Sequence, residues 1–553
     1  MNQTQVVIAG GGPVGMTLAY DLASRGIRCL LAERNSTTTS HPKMDITNAR
    51  TMELFHRAGL ADALRRVAVP PDHCFDVSWI TRFTGSELHR FRYPSVTEAR
   101  AHYRANNDGS HPLEPPMRVS QVEIEPVLRS AVEASALVDV QFGLEFESFE
   151  QDGEGVSVVL RNRETGVAQT VRCQYLVGCD GGGSRVRTQL GVELSGQMRI
   201  MQRFMTHFRS DARELLKRWG NAWHYQSAYG TLISQNDHDV WTLHTRVPPE
   251  MPVESVDPHE LVRQFVGKSI PMEVLVANPW VPHLVVADAY RKQRVLLAGD
   301  AAHQFIPTGG YGMNTGVADA FDLGWKLAAS LHGWGGPALL DSYDLERRPV
   351  GTRNRDAARR HNDVRVEIAG LYTPGFHDEG AEGERLRSAA AARIAQIGNA
   401  ENECWGIEMG FRYVGSPILP DGPEVDEEFD PLRYTPRTDP GTRLPNVFLR
   451  DGTALYDQLG PWFTLLLFAD VSGKAVGQAA AAMNAPLKVV QISDPQWAQL
   501  YQAQAILVRP DQHIAWRGAC PASSTDAAAV LQRALGWAPA TAGSRRNAAA
   551  LAA

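Results

Sequence analysis

The stretch QVVIAGGGPVG at residues 5–15 decides the fold of the chain. Its apolar first part, Gln5–Ala9, predicts a short buried strand, and the apolar pattern of Pro13–Arg25 predicts a helix directly after the glycines. A second apolar run, Arg28–Glu33, predicts another strand shortly after this helix. A strand, a helix and a second strand in such close succession indicate a parallel, doubly wound α/β sheet at the start of the chain.

The glycines between the first strand and the helix have the Gly-x-Gly-x-x-Gly spacing of a dinucleotide-binding loop. Gly10 allows the tight turn, Gly12 lets the backbone approach a pyrophosphate, and Gly15 lets the helix pack close to the sheet. Glu33 ends the second strand, where a carboxylate can bind the ribose hydroxyls. At this point the residues leave NAD and FAD equally open. The cofactor contacts predicted in this region are Gly10, Gly12, Pro13, Val14, Gly15, Glu33 and Arg34.

Two later motifs place carboxylates at the ends of predicted strands. The segment 175–181 ends in Asp180-Gly181, and the segment 294–300 ends in Gly299-Asp300. Ligands of an open α/β sheet bind at the carboxyl ends of its strands. The glycine-rich run 307–314 then leads into a predicted long helix, whose first N–H groups would stabilise negative charge on a nearby ligand.

These three motifs together resemble the group A flavoprotein monooxygenases, the FAD-dependent aromatic hydroxylases, over roughly residues 1–370. The family's DG motif matches Asp180-Gly181 and its GD motif matches Gly299-Asp300. The resemblance implies that Asp300 holds the ribityl chain of FAD and that Arg118 and Gln121 contact the flavin. It also implies that a loop lies against the isoalloxazine, through Pro307, Gly310, Gly312, Met313 and Asn314.

The chain departs from the family pattern at one cationic position. Where members often carry an arginine after the second strand, this sequence has Lys43. Lysine keeps the positive charge but lacks the two-pronged guanidinium. We retain Lys43 as a predicted cofactor contact. Only one Gly-x-Gly-x-x-Gly follows a strand, so NADH or NADPH has no Rossmann domain of its own, and the resemblance implies that it visits the FAD cleft transiently.

The predicted fold class is α/β, with three parts. A Rossmann-like FAD-binding domain is predicted to be discontinuous, from residues 1–75, 115–190 and 290–370. Residues 76–114 and 191–289 form an inserted β-sheet substrate domain, and residues 371–439 a helical or linker region. Strand signals, including Val447–Leu449, indicate a C-terminal α/β domain over 440–540. That domain resembles the thioredoxin-like domain of phenol hydroxylases, without a Cys-x-x-Cys pair.

Composition sets the broad class of the protein. The 553 residues are 43% hydrophobic and 21% charged, which is ordinary for a soluble globular protein and excludes a disordered or fibrous one. The net charge of −7 comes without a basic face, so we expect no nucleic-acid partner. Cysteine and histidine spacing predicts no metal site. The N-terminus is not typical of a signal peptide and no apolar run could span a membrane, so we expect a cytoplasmic protein.

The substrate pocket is predicted between the FAD motifs. Its walls are the strand-rich segments 75–92 and 199–244, and the second carries Trp223, Tyr225, Tyr229 and Trp241. Each of these aromatic side chains is as consistent with ordinary sheet packing as with the pocket. Because a phenol has a pKa near ~10, its activation at neutral pH benefits from a general base. The resemblance implies that Asp45 is a candidate base or substrate anchor, since related phenol hydroxylases have a polar, substrate-activating residue at this place. The other candidate catalytic residues are Tyr225, His244 and Arg246, with His224 as a further candidate and His303 in the cofactor shell.

The resemblance implies a single-component monooxygenase that uses NADH or NADPH, O2 and bound FAD. It would hydroxylate a phenolic or polycyclic aromatic substrate through a flavin C4a-hydroperoxide. Two other classes stay open: an FAD-dependent reductase or dehydrogenase without oxygen transfer, and a non-enzymatic flavoprotein or scaffold. The sequence leaves open the choice between NADH and NADPH, the substrate, and whether the protein forms a homodimer.

Overall fold

The computed structural model describes residues 2–248, 251–422 and 426–538. Residue 1 of the predicted FAD-binding domain and residues 539–540 of the predicted C-terminal domain lie outside the described residues. So do residues 249–250 of the substrate domain and 423–425 of the linker. The predicted α/β fold class is confirmed, and the domain boundaries stay a prediction.

A six-stranded sheet forms the centre of the FAD-binding part. The strand Val6–Ala9 lies in its middle, parallel to Cys29–Glu33 on one side and to Tyr175–Gly178 on the other. All four residues of Val6–Ala9 are buried, as expected for a parallel sheet covered on both faces. In spatial order the strands are Arg291–Lys292, Val295–Leu297, Tyr175–Gly178, Val6–Ala9, Cys29–Glu33 and Val138–Phe142, and only the first edge pair is antiparallel.

Three smaller sheets flank this one. The first contains Asn2–Gln3, Ala168–Cys173, Val156–Asn162 and Leu144–Gln151. The second contains Leu194–Gln197, Leu284–Ala287 and His303–Gln304. The third pairs Ile46–Thr47 with Met117–Arg118, which fixes the loop that carries Asp45.

A seven-stranded sheet forms the inserted part and is antiparallel except where His224–Ser227 pairs with Val77–Ile80. Helix Pro258–Val266 covers one face, and Val262, Phe265 and Val266 of that helix pack into its core. The opposite face is directed at the FAD-binding part. In spatial order the strands are Glu273–Trp280, Arg203–Arg209, Val240–Arg246, Gly230–Ser234, His224–Ser227, Val77–Ile80 and Glu87–Phe91.

Helices connect and cover these sheets. The first, Pro13–Ser24, begins with a proline, whose fixed φ suits the first helical position. The predicted linker is largely helical, since it contains Ala381–Ile397. The other α-helices before the C-terminal domain are Ala49–Arg57, Ala61–Arg66, Val96–Ala105, Gln121–Glu133, Arg185–Leu190, Arg213–Leu216, Tyr311–Leu331, Pro337–Ala369 and Trp405–Met409.

The C-terminal domain has the β-α-β-α-β-β-α order expected of a thioredoxin-like fold. Its strands lie in the order Leu487–Gln491, Phe463–Leu467, Ala505–Val508, Ile514–Gly518, and its helices are Lys474–Ala482, Pro495–Tyr501 and Ser524–Ala534. The predicted strand at Val447–Leu449 is wrong. Phe448 makes one isolated bridge with Ala454, because the chain turns back after 449 instead of joining a sheet.

Buried ion pairs join this domain to the FAD-binding part. The Arg509 guanidinium binds Glu346 at 2.8 Å and Asp322 at 2.9 Å, and Lys326 binds the same two carboxylates at 2.6 and 2.7 Å. The interface is therefore fixed by paired charges as well as by apolar packing. Among the described residues, no helix is both long enough and apolar enough to cross a membrane.

Candidate active site

A cleft of about 500 Å³ separates the dinucleotide loop from the seven-stranded sheet. Most of the predicted site residues line it, which brings together motifs that are up to 300 residues apart in the sequence. The predicted residues at the cleft are Gly10, Gly12, Pro13, Val14, Glu33, Arg34, Lys43, Asp45, Gln121, Asp180, Gly181, His224, His244, Asp300, Pro307, Gly310, Gly312 and Met313.

The geometry of the glycine loop fits a pyrophosphate. Gly10 has φ +108°, a conformation that L side chains rarely adopt, and a Cβ there would overlap the carbonyl of Cys179. A Cβ on Gly15 would overlap the carbonyl oxygen of Gly10, so this glycine serves the close packing of helix on loop. A Cβ on Gly12 would meet no protein atom within 4 Å, because Gly12 faces the open cleft. The loop thus forms a cradle that a bound phosphate group can fill.

Glu33 ties the end of its strand to this loop. Its Oε2 accepts a hydrogen bond from the Gly11 N–H at 2.7 Å, and its Oε1 accepts one from the Asn35 N–H at 2.8 Å. The carboxylate lines the cleft at the position where a dinucleotide ribose is bound in this kind of unit.

The second acidic motif is held by residues behind it. Asp319 Oδ2 accepts a hydrogen bond from the Gly299 N–H at 3.2 Å and binds His303 Nε2 at 2.8 Å. His303 is therefore buried behind the loop, as a cofactor-shell residue would be. Asp300 itself is directed at the cleft. Desolvation raises the pKa of its carboxyl, although His303 and Lys43 lower it.

Asp180 caps the start of helix Arg185–Leu190. Its Oδ2 accepts hydrogen bonds from the N–H groups of Arg185 at 2.8 Å and Val186 at 3.2 Å. It thus satisfies the free N–H groups at the start of the following helix. Gly181 has φ +80° and open space in front of its backbone, so a ligand in the cleft can approach this turn closely.

The start of helix Tyr311–Leu331 is directed at the cleft through Gly312 and Met313. Gly310, with φ +66°, precedes the helix. The partial positive charge of a helix start stabilises an anionic ring system lying against it. Asn314 does not line the cleft. Its Oδ1 accepts a hydrogen bond from the Asn48 N–H at 3.0 Å and its Nδ2 donates to the Ile46 carbonyl at 3.1 Å, so it joins the helix to the Asp45 loop.

The expectation that Arg118 contacts the flavin is corrected by its position. Both terminal nitrogens of the Arg118 guanidinium donate to the carboxylate of Asp237 at 2.7 Å, and the side chain is buried away from the cleft. This pair fixes the loop after strand Gly230–Ser234. Gln121, the other half of the predicted pair, lines the cleft and donates to Glu125 at 2.7 Å.

Strand register decides which side chains of the seven-stranded sheet face the cleft. His224 is opposite Ile233, Thr231 is opposite His244, and Arg203 is opposite Trp280. Residues directly opposite each other share a face. These six side chains all line the cleft.

The same register corrects the prediction for Tyr225. One residue after His224, it points to the other face, where its hydroxyl donates to the Gly220 carbonyl at 2.7 Å. Trp241 is on that face too, in the core under helix Pro258–Val266. Arg246 shares the cleft face but lies at the strand end, exposed and outside the cleft. Tyr229 hydrogen-bonds His377 at 3.0 Å near the rim of the sheet.

Asp45 is held by two neighbours on the sheet. Trp223 Nε1 donates to its Oδ2 at 2.7 Å, and His224 Nε2 lies 3.0 Å from the same oxygen. Although desolvation raises the pKa of Asp45, the bonds and charge of His224 and the bond of Trp223 outweigh it and lower the pKa overall. No described residue donates to Oδ1, and 18% of the side chain is exposed. Asp45 is therefore an ionised acceptor directed at the cleft.

His244 is neutral at physiological pH. Burial lowers its pKa to about 4, and the positive charges of Arg203 and Arg365 add to this effect while Asp45 opposes it. Its Nδ1 is buried and has no hydrogen-bond partner within the described part of the chain. The imidazole therefore lines the cleft as an uncharged group.

Several residues of the cleft were not predicted from the sequence. Arg203, Thr231, Ile233 and Trp280 belong to strands whose facing depends on register, and Arg365 lies near the end of the long helix Pro337–Ala369. The described residues contain no cluster of three or more His, Cys, Asp or Glu side chains that could hold a metal ion.

Comparison with known proteins places the chain among flavin-dependent enzymes. A family model described as an FAD binding domain matches residues 3–358, and one described as the C-terminal domain of aromatic-ring hydroxylases matches residues 437–538. The sequence is 36% identical over 573 residues to the FAD-dependent monooxygenase apdD of Emericella nidulans, covering 97% of this chain and 91% of the relative.

Two further relatives agree with this result. The sequence is 30% identical over 565 residues to a phenol 2-monooxygenase of a Pseudomonas species, covering 93% of this chain and 90% of the relative. The structure of the rebeccamycin biosynthetic enzyme RebC with reduced flavin superposes with a TM-score of 0.86 at 35% identity, over 97% of this chain and 99% of RebC.

Proposed function

This chain belongs to the FAD-binding monooxygenases that carry an aromatic-ring hydroxylase C-terminal domain, and from this premise we propose that it hydroxylates a phenolic ring bound beside Asp45. It is thus an FAD-dependent monooxygenase of aromatic substrates, rather than a reductase or a scaffold. The observation that carries the finer proposal is the position of Asp45, an ionised carboxylate on the cleft wall with one oxygen left for a ligand.

The residues at the cleft fit FAD. Gly10, Gly12 and the start of helix Pro13–Ser24 would hold the pyrophosphate, and Glu33 the ribose. Asp300 would hold the ribityl chain, and Gly312 and Met313 would lie against the flavin ring. Bound FAD, reduced by NADH or NADPH, supplies the activation of O2 and the transfer of one oxygen atom to the substrate.

Asp45 would prepare the substrate for this transfer. A phenol whose hydroxyl donates to Asp45 Oδ1 gains electron density on its ring, because the carboxylate draws the proton away from the phenol oxygen. Trp223 and His224 keep Asp45 ionised and fix its orientation through Oδ2. Ile233 and Trp280 supply apolar wall on the same sheet face, which helps to exclude water from the reacting ring.

The relatives support a phenolic substrate but do not identify it. One relative is a phenol 2-monooxygenase, and its similarity extends over 93% of this chain. The wall of the cleft is five strands wide, from His224 to Trp280, which favours an aromatic system larger than a single ring.

The experiment compares the wild type with Asp45→Asn. The FAD-loaded proteins are given NADH or NADPH, air and a panel of phenols and polycyclic phenols, and product masses are read. We expect a phenol that accelerates NAD(P)H oxidation and gains one oxygen atom. Asp45→Asn should lower its hydroxylation about 100-fold or more while FAD content stays normal, since positioned general bases contribute about 10²–10⁴-fold.

Asp139→Asn is the matched control, because Asp139 is an exposed carboxylate on the edge strand Val138–Phe142. It should hydroxylate at the wild-type rate. Unchanged hydroxylation in Asp45→Asn would remove Asp45 from the mechanism, and NAD(P)H oxidation that yields only peroxide with every phenol would contradict the phenolic substrate.

A further inference from the structure

Arg203 is a buried cation without an anionic partner. Only 8% of the residue is exposed, and its side chain lines the cleft at the start of strand Arg203–Arg209. Its Nε donates to the sulfur of Met201 at 3.1 Å. Among the described residues, no carboxylate lies within ion-pair distance of its guanidinium. Each of the other buried arginines that the structure describes has a carboxylate partner, except Arg187, which donates to the carbonyls of Ala301 and Gly182.

Neighbouring arginines add to the uncompensated positive charge around Arg203. Arg365, also at the cleft, is neutralised by a two-pronged pair with Glu401 at 2.6 Å. Arg246 is directly opposite Arg203 on the next strand. Burial and the charges of Arg246 and Arg365 lower the pKa of Arg203 to about 9, while Glu401 opposes this effect. Among the described residues, Glu401 is the one carboxylate that acts on the charge of Arg203, and it is already paired with Arg365. Burying an unpaired charge is costly.

We propose that Arg203 binds a carboxylate of the substrate, at the end of the cleft opposite Asp45. This inference rests on the proposed function, which places the ring to be hydroxylated beside Asp45. The planar guanidinium matches a carboxylate with two parallel hydrogen bonds. His244, which also lines the cleft, lies on the neighbouring strand.

The distance between the two ends defines the shape of the substrate. His224, which holds Asp45, and Arg203 are on strands separated by three inter-strand steps. At about 4.8 Å a step, the strands are about 14 Å apart. The pairing register places His224 level with His207, so Arg203 is also displaced by four residues, about 13 Å, along the sheet. Part of this distance is covered by the arginine side chain itself. The substrate is therefore an elongated aromatic acid of at least two fused rings, with its phenol and its carboxylate at opposite ends.

The test measures affinity and needs no turnover. Equilibrium dialysis of the FAD-loaded protein, without NAD(P)H, compares 6-hydroxy-2-naphthoate with 2-naphthol, which lacks only the carboxylate, and with 4-hydroxybenzoate, which is shorter. The wild type should bind 6-hydroxy-2-naphthoate at least tenfold more tightly than either of the others. Arg203→Gln should remove the preference over 2-naphthol, and Arg203→Lys should retain part of it, because lysine keeps the charge without the two-pronged geometry.

Arg209→Gln is the matched control. Arg209 is at the other end of the same strand, exposed and paired with Glu273 at 2.9 Å, so this variant should keep the wild-type preference. The thermal midpoint is a second readout. A substrate-binding arginine without a protein partner should leave the midpoint unchanged or higher when replaced by glutamine, whereas a structural arginine should lower it.

Three results would overturn the inference: equal affinity of the wild type for 6-hydroxy-2-naphthoate and 2-naphthol, no measurable binding of 6-hydroxy-2-naphthoate, or a preference that survives in Arg203→Gln. Because dialysis detects binding alone, failure of oxygen transfer would leave these results interpretable. Conversely, hydroxylation that is lost in Asp45→Asn but unchanged in Arg203→Gln would rule out the carboxylate site and leave the proposed function standing.

Discussion

The Nε2 of His224 lies 3.0 Å from the Oδ2 of Asp45, and this contact joins the seven-stranded sheet to the FAD-binding part of the chain. Asp45 is in the loop before Ile46–Thr47, while His224 begins a strand of the inserted sheet. The imidazole of His224 and the indole N–H of Trp223 both bind Oδ2 of Asp45. The other oxygen, Oδ1, is therefore left for a ligand. The contact therefore fixes the direction in which Asp45 can act.

Replacing Trp223 by phenylalanine should weaken this arrangement without abolishing it. The indole N–H donates to Asp45 at 2.7 Å, and its loss removes one of the interactions that lower the pKa of the carboxyl. The pKa of Asp45 should rise, so the acid limb of the kcat/KM profile should move to higher pH. A profile identical to that of the wild type would show that Asp45 does not control this limb. Trp516→Phe, in the C-terminal domain, serves as the control.

Gly12→Val should abolish FAD binding but leave the protein folded. A side chain at Gly12 would meet no protein atom within 4 Å, yet it would occupy the space that the pyrophosphate needs. The measurement is the flavin-to-protein ratio after purification, with circular dichroism as the check on folding. Gly477→Ala, at a helix position that is equally open, should retain a full complement of FAD. Stoichiometric flavin in Gly12→Val would contradict the dinucleotide site.

His244 should make the stability of the protein fall in mild acid. Its pKa in the folded protein is about 4, below the usual 6.5, chiefly because the imidazole is buried. As the pH falls from about 6.5 to 4, the unfolded chain takes up a proton that the folded protein does not, so stability is lost across this window. In His244→Gln the thermal midpoint should decrease less between pH 7 and pH 5 than in the wild type. The exposed His259 provides a control, since His259→Gln should keep the wild-type decrease.

Arg509 should be essential for attachment of the C-terminal domain. The buried guanidinium binds Glu346, Asp322 and Asp511, at 2.8, 2.9 and 2.7 Å. Arg509→Gln leaves these carboxylates with Lys326 as the remaining cation, and breaking a buried pair in this way costs about 3–5 kcal/mol. Chemical denaturation measures the change. Arg385→Gln removes a solvent-exposed pair with Glu382 and should leave the free energy of unfolding nearly unchanged, because water screens exposed ion pairs. Equal effects of the two substitutions would contradict the account of the interface.

The FAD-binding part of the site could be predicted from the sequence because its motifs are local. The strand, glycine loop and helix around Gly12 are consecutive, and backbone N–H groups would make much of the contact with a dinucleotide. Asp300 could be placed for the same reason, since a carboxylate at the end of a parallel strand must lie at the ligand edge of the sheet. Such motifs need no knowledge of distant contacts.

The substrate wall could not be predicted in the same way, because each side chain on a strand faces one side or the other by register alone. His224 and Tyr225 are adjacent in the sequence, yet one lines the cleft and the other is in the core on the opposite face. Arg118 was misplaced for a related reason. The family resemblance implied a flavin contact, whereas the charge of Arg118 is neutralised by Asp237, which lies more than a hundred residues away.

The most direct test of the central claim follows the oxygen atom. The FAD-loaded protein is supplied with NAD(P)H, a phenol that accelerates NAD(P)H oxidation, and ¹⁸O2 in ordinary water, and the product is analysed by mass spectrometry. We predict a hydroxylated product that carries one ¹⁸O atom, with strongly reduced yield from Asp45→Asn and normal yield from Asp139→Asn. A product whose new oxygen comes from water, or NAD(P)H oxidation that yields only labelled hydrogen peroxide, would contradict the account.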